Sequence, residues 1–258
     1  MFRFFLLIFI TISCDCLAIE AHKAEYQLSL FDNSKETGIK DIKGKSNYVI
    51  NEECHGWNAT EKILLSFKLQ NNIETNLSSV WSTFETFSGN SYQFDMTENI
   101  NGQETSNFIG FSNISKDISN AKYFSDGEYE VSLNENIEFP ITHLKNLILA
   151  AQNNKKIYSS NLFLGSEFSD SYKIVTAIIG RKKVNEKYTF SNNLYQRFYW
   201  PVNLAYYTPG KEKDNPEYTI SAQLQQNGVI IRYVIDYGEF SINSELNDLN
   251  RININKCK

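Results

Sequence analysis

Few residues in this chain are of the types that do chemistry. There are three histidines, His22, His55 and His143, and four cysteines, Cys14, Cys16, Cys54 and Cys257. A nucleophilic hydrolase needs a base beside its nucleophile and a third group to orient that base. No G-x-S-x-G elbow, P-loop or dinucleotide fingerprint occurs. His22 falls at the expected mature N-terminus, where a frayed residue is predicted. His55 follows Cys54. His143 falls at the start of a helix, where a partly exposed surface position is predicted. Cys54 and His55 are neighbours, and neighbours on a strand point to opposite faces. His22 and His143 show no ligand spacing to them, so no metal site is predicted. Glu52 and Glu53 diverge for the same reason, and a glycosidase pair is set by tertiary distance rather than by sequence. No catalytic, cofactor-binding or metal-binding residues are assigned, and the chain reads as a non-enzyme.

The aromatic residues offer a different chemistry. Aromatics make up 14% of the sequence. Phe198-Tyr199-Trp200 and Tyr206-Tyr207 flank Pro201-Val202. Such side chains can stack on a sugar ring or line an acyl-chain groove. The plainer reading is that half of them pack the core and half cover its rim. A curved sheet of this size can still leave an apolar concavity, a common ligand site in β-barrels. The formal net charge of -5 includes no basic run, which argues against a nucleic-acid partner.

The first eighteen residues read as an export signal, residues 1–18, with cleavage after Ala18 and Ala21 as a second candidate. Arg3 supplies the positive start. Phe4 to Ile12 is apolar apart from Thr11, and at about nine residues it is too short to span a bilayer. No later segment is apolar enough to do so, so the mature chain is predicted to lack a transmembrane segment. Lipid attachment at Cys14 is the secondary reading, because Thr11 stands where leucine is usually required. Cleavage removes Cys14 and Cys16. It leaves Cys54 and Cys257 in an oxidising compartment, where a disulfide is the default. That bond closes a loop of about two hundred residues, which the chain-entropy account values at roughly 5 kcal/mol as an upper figure.

The elements that must position these residues are mostly strands. Alternation of period two recurs along the chain, as in Ala24, Tyr26, Leu28 and Leu30, then Ile42 to Ile50, then Ile63, Leu65, Phe67 and Leu69. Further strands are predicted over Trp81 to Phe87 and Tyr92 to Met96, around the turn Ser88-Gly89-Asn90. More follow at Ile157–Phe163, Ile174–Ile179 and Phe198–Tyr206. Asn101-Gly102, Asp126-Gly127 and Asn227-Gly228 are hairpin signals. One stretch breaks the period. Leu144, Leu147, Ile148 and Ala151 have helical spacing, which predicts an amphipathic helix near 142–153 that starts at a Thr142 cap and ends at Asn153-Asn154. The loop Pro209–Pro216 is charged. No linker divides the chain, so residues 19–258 form one mainly β domain of roughly a dozen or more strands.

With these residues in place, the sequence resembles the EipB family, the cell-envelope integrity proteins of alphaproteobacteria. The likeness runs through His22-Lys23-Ala24-Glu25-Tyr26-Gln27-Leu28 and Cys54-His55-Gly56-Trp57. It continues through Phe139-Pro140, Leu162-Phe163, Gly165-Ser166 and Ile179-Gly180. Its strongest part is Trp200-Pro201-Val202, Asn227-Gly228-Val229 and Asp236-Tyr237-Gly238-Glu239-Phe240. The resemblance implies a single antiparallel β-spiral, an open and oval barrel-like sheet, in a periplasmic protein. It also implies a disulfide between the early and C-terminal cysteines, here Cys54 and Cys257. Related proteins carry an acidic residue after Leu-Phe where this chain has Leu164, so no polar role is carried over there. The implied function is non-enzymatic support of envelope integrity through an envelope protein partner. A periplasmic carrier of lipid or lipoprotein, using an apolar concave face, is the alternative. A lipid or glycan is the ligand class, and no cofactor is assigned.

Overall fold

The computed structural model describes residues 19–33, 38–71, 73–115, 119–125, 127–133, 136–166, 172–185, 193–210 and 215–252. Residues 1–18, with Cys14 and the expected export signal, lie outside them, as do Cys257, Asp126 and part of the 209–216 loop. The chain opens with β1 (His22–Asp32), β2 (Ile39–Glu52), β3 (Gly56–Leu69), β4 (Glu74–Thr86), β5 (Ser91–Ile100), β6 (Gln103–Ile114), β7 (Ser119–Tyr123) and β8 (Tyr129–Ser132). The short β9 (Ile137–Glu138) leads into α1 (Pro140–Gln152). Then follow β10 (Ile157–Leu162), β11 (Lys173–Ile179), β12 (Lys183–Val184), β13 (Phe198–Tyr207), β14 (Tyr218–Leu224), β15 (Ile230–Asp236) and β16 (Ser241–Arg251).

Among the described residues one sheet runs in the order β8-β7-β6-β5-β4-β3-β2-β1-β16-β15-β14-β13-β11-β10-β9, with β12 attached to β13. It is antiparallel except where β9 meets β10. The first strand lies in the middle and pairs with the last, so the two halves of the chain join through β1 and β16. The predicted strands and helix are all present in this mainly β, barrel-like sheet. Asn101 and Gly102 have φ of 51° and 80° between the paired residues Ile100 and Gln103. This is the left-handed geometry that a two-residue hairpin of this type needs.

The sheet closes by packing rather than by pairing its edges. Phe139 and Phe163, which flank β9 and end β10, press onto Tyr92 and Phe94 from the inner face of β5. Tyr92 stacks on Phe139 at 5.0 Å, and Phe94 meets Phe163 at 5.8 Å. The Tyr92 hydroxyl donates to the Leu164 carbonyl at 3.2 Å. The Phe94 ring fits because two glycines flank it. A Cβ on Gly110 would meet Phe94 at 2.6 Å and the Lys122 carbonyl at 2.1 Å, and one on Gly165 would meet Phe94 at 2.6 Å. Glycine inside a strand marks such close approaches.

The helix lies inside the curl. Leu147, Ile148 and Ala151 pack with Val175, Val202 and Leu224. Its start differs from the sequence expectation. The helix begins at Pro140, and Phe139 in extended conformation provides no side-chain cap. Thr142 sits inside the first turn, because proline at the first helical position sets the backbone earlier. The end is as predicted, with Asn154 at φ 57°.

Candidate functional site

The inner face of the sheet changes character along its length. At the helix end, Ile50, Trp57, Ala59 and Tyr92 are buried. Away from the helix, inward residues of β3 to β6 keep partial exposure, although they face the same side. Phe108, Met96 and Trp81 are cross-strand partners in one row, and Trp81 faces Glu61. Ile63, Leu65 and Ile235 continue the same half-exposed apolar wall. The helix therefore plugs one end of the spiral, Tyr26, Leu28, Ile42 and Ile242 pack a second core on the inner face of β1, β2 and β16, and the inner rows of β3 to β6 between them keep partial exposure.

Polar side chains are set into this apolar wall. Glu61 projects inward from β3 and is half-buried. Its carboxylate accepts the Ser46 hydroxyl at 2.6 Å. Burial pushes the Glu61 carboxyl above its ordinary range, and the bond from Ser46 opposes this only in part. Tyr26 and Tyr233 meet edge to face at 5.5 Å. The Tyr26 hydroxyl donates to the Ile230 carbonyl at 2.8 Å. Burial raises both phenols. None of Glu61, Ser46 and Tyr233 was singled out in the sequence. The alternation placed Ser46 on an inward row, but nothing local distinguishes an inward glutamate from a solvent-facing one.

A second polar group joins the helix to the sheet. His143 is buried, and its Nδ1 lies 2.9 Å from the Ser160 hydroxyl and 3.3 Å from the Glu138 carboxylate. The Asn146 amide donates to Glu138 at 2.7 Å, and the Tyr158 hydroxyl donates to it as well. Burial works to raise the Glu138 carboxyl. The hydrogen bonds from His143, Tyr158 and Asn146 outweigh burial and hold it at about 2. Serine, histidine and glutamate invite comparison with a hydrolase triad. In such a relay the acid and the nucleophile occupy opposite ring nitrogens. Here both face Nδ1, while Nε2 is buried with no partner among the described residues. The group clamps α1 to β9 and β10.

The other sequence candidates are dispersed. His22, predicted to be frayed, is buried in β1. It donates from Nδ1 to the Glu20 carbonyl at 2.7 Å and lies against Tyr48. The chain is ordered there because Ile19 and Ala21 are themselves in the core. His143 is likewise buried rather than at the surface. His55 and Cys54 are exposed in the turn before β3. Glu52 ends β2 and Glu53 lies in that same turn. In the aromatic run, Trp200 and Tyr206 are in the core and Phe198 is exposed, as the plainer reading expects. Leu164 packs against the core cluster beside the helix. Among the described residues no three His, Cys, Asp or Glu side chains stand together as a metal site. No described helix is long and apolar enough to cross a membrane.

Comparison with known proteins accounts for this architecture. The pattern of the family described as EipB-like matches residues 15–253. The chain belongs to the EipB-like family. The cell envelope integrity protein EipB of Brucella abortus is 24% identical over 241 residues, covering 92% of this chain and 86% of that one. A solved beta-barrel-like protein of a domain of unknown function, also from Brucella abortus, superimposes with a TM-score of 0.86. Its identity is 23%, with coverage of 92% of this chain and 99% of that chain. The EipB-like fold is thus the open spiral seen here, with α1 inside it.

Proposed function

We propose that this protein is exported to the periplasm and supports envelope integrity without catalysis, by holding an apolar group of an envelope molecule in its concave face. The observation that carries this reading is the half-exposed apolar wall of Ile63, Leu65, Trp81, Met96 and Phe108 on a face whose helix end is fully packed. Leaving that much apolar surface open costs stability unless something covers it. The envelope role is supported by the likeness to the cell envelope integrity protein EipB. The fitting ligand is a hydrocarbon chain, from a lipid or from the acyl group of a lipoprotein.

An interaction with an envelope protein is the second reading, and it rests on the convex face. Phe84, Ile109, Phe111 and Phe124 line a groove there of about 390 Å³. Ile109 and Phe124 are exposed by nearly half of their surface. This groove is suited to an apolar side chain of a partner.

The Cys54–Cys257 disulfide belongs to the same proposal. Arg251 at the end of β16 pairs with His22, and His22 pairs with Ile50 in β2. Both cysteines thus follow strands that end at the same border of the sheet, two strand spacings apart, or about 10 Å.

Diphenylhexatriene uptake tests the leading reading. The purified protein should take up the probe saturably, and Met96→Lys should weaken uptake at least about ten-fold by placing a charge in the wall. Absence of uptake, together with no acyl chains in a solvent extract of native protein, would leave only the convex groove.

A further inference from the structure

The concave face is not uniformly apolar. Four polar side chains from four strands converge within it: Glu61 of β3, Ser46 of β2, Tyr233 of β15 and Ser244 of β16. Ser46 donates to Glu61 at 2.6 Å. The Tyr233 phenol is approached by both Ser46 and Ser244. Ser244 is 0% exposed, and among the described residues its hydroxyl lies beside the phenol of Tyr233, its cross-strand partner, without completing a bond of good geometry. A buried hydroxyl this weakly satisfied costs free energy and calls for an explanation. The half-buried Glu61 carboxylate, set in an apolar wall, has one serine bond and keeps its other lone pairs available to a donor. Both groups lie on one inner face, where a ligand's head group can donate to the open side of Glu61 beside the Tyr233–Ser244 pair.

We propose that Glu61, Ser46, Tyr233 and Ser244 form a head-group subsite. It takes a single-chain amphiphile whose head carries hydrogen-bond donors and no negative charge. This rests on the reading of the concavity as a holder of hydrocarbon. The apolar row of Trp81, Met96 and Phe108, which continues from Glu61 across three strands, receives the chain. The head lies against Glu61, where a hydroxyl or an ammonium donates to the carboxylate. An anionic head is excluded because it would bring two negative charges together in a poorly solvated space. Hydroxyl and ammonium heads share the donor chemistry, and the experiment separates them.

The test titrates the mature protein at pH 8 with 1-monopalmitoylglycerol, hexadecylamine and palmitate, which present hydroxyl, ammonium and carboxylate heads on similar chains. One or both donor heads should bind at least about ten-fold more tightly than palmitate, equivalent to about 1.4 kcal/mol. The tighter of the two identifies the head. Glu61→Gln, close in shape, should bring all three within about two-fold of one another. Ser244→Val is measured in parallel, with its fold checked by circular dichroism, so that the outcome does not depend on one variant. It should weaken the preferred donor amphiphile and leave palmitate unchanged. Equal binding of all three ligands to the wild type overturns the subsite and leaves the hydrocarbon-holding reading intact. Binding of none overturns both.

Discussion

The Glu85 carboxylate accepts the Thr142 backbone N–H at 2.8 Å and the Thr142 hydroxyl at 2.5 Å. Its other oxygen takes the Ile141 N–H at 2.7 Å. The first turn of α1 holds no acidic residue and its N-cap provides no side-chain bond, so a buried strand residue supplies the cap from 57 positions away. Free N–H groups at a helix start need such an acceptor, and the helix dipole favours its charge. Glu85→Ala should destabilise the fold by roughly 3 kcal/mol, combining a lost cap with buried unpaired donors. Denaturant unfolding measures this. A loss below about 1 kcal/mol would mean that the helix is held by its apolar face alone.

Glu85 and Glu138 set opposite pH dependences. Burial raises Glu85 above the ordinary carboxylate range. Its folded form binds a proton more tightly than its unfolded form, so its contribution favours folding as pH falls. Glu138 is the reverse. It is held at about 2 in the folded protein, and its contribution is present above the unfolded pKa and is lost as pH falls toward 2. That loss is on the order of 2–3 kcal/mol as an upper figure. Glu138→Gln should therefore reduce stability at pH 7 but narrow the difference between pH 5 and pH 2.5. Urea unfolding of both proteins at these pH values checks the sign. An unchanged acid limb in the variant would remove Glu138 as its cause.

The difference between legible and hidden features follows from the range of the interactions. Period-two alternation exposed the strands, because burial of one sheet face is written locally. Asn101-Gly102 could be read for the same reason, since its backbone requirement is met within two residues. Asn227-Gly228 was read as a simple hairpin, yet the Asn227 amide also donates to the Leu194 carbonyl at 2.8 Å. That anchoring role depends on a segment 33 positions earlier. The helix start was displaced by two residues because its cap comes from β4. His22 and His143 were expected at or near the surface, since nothing near them in sequence reveals what covers them. Glu61 was hidden most fully. Its significance lies in which strand faces it across the curl.

The disulfide proposal gives a measurable stability. Cys54 lies in the turn after β2, and the C-terminal segment leaves β16 beside the start of β1, where the Ile252 N–H reaches the Ala21 carbonyl at 3.3 Å. Joining these borders restricts the unfolded chain over a long loop. Reduction, or Cys54→Ser with Cys257→Ser, should lower stability by up to about 5 kcal/mol. Alkylation of the unreduced mature protein should label neither cysteine, and labelling of both would rule out the bond.

On the proposed export, the same border bears on where the mature chain begins. Ile19 is only 4% exposed and packs with Ile50, Trp57 and Ile141. The Glu20 N–H donates to the Asn227 carbonyl at 3.1 Å, and its carboxylate meets Arg251 at 2.5 Å. Glu20 also supplies the carbonyl that His22 uses. Cleavage after Ala21 would delete all of these contacts, whereas cleavage after Ala18 preserves them. Burial of one isoleucine side chain alone is worth about 2 kcal/mol. Intact-mass measurement and N-terminal sequencing of the exported protein should therefore find Ile19 first. A chain engineered to begin at His22 should unfold at lower denaturant, by an amount that Ile19→Ala in the longer form reproduces in part. A native N-terminus at His22 with undiminished stability would contradict the structural role given to residues 19–21.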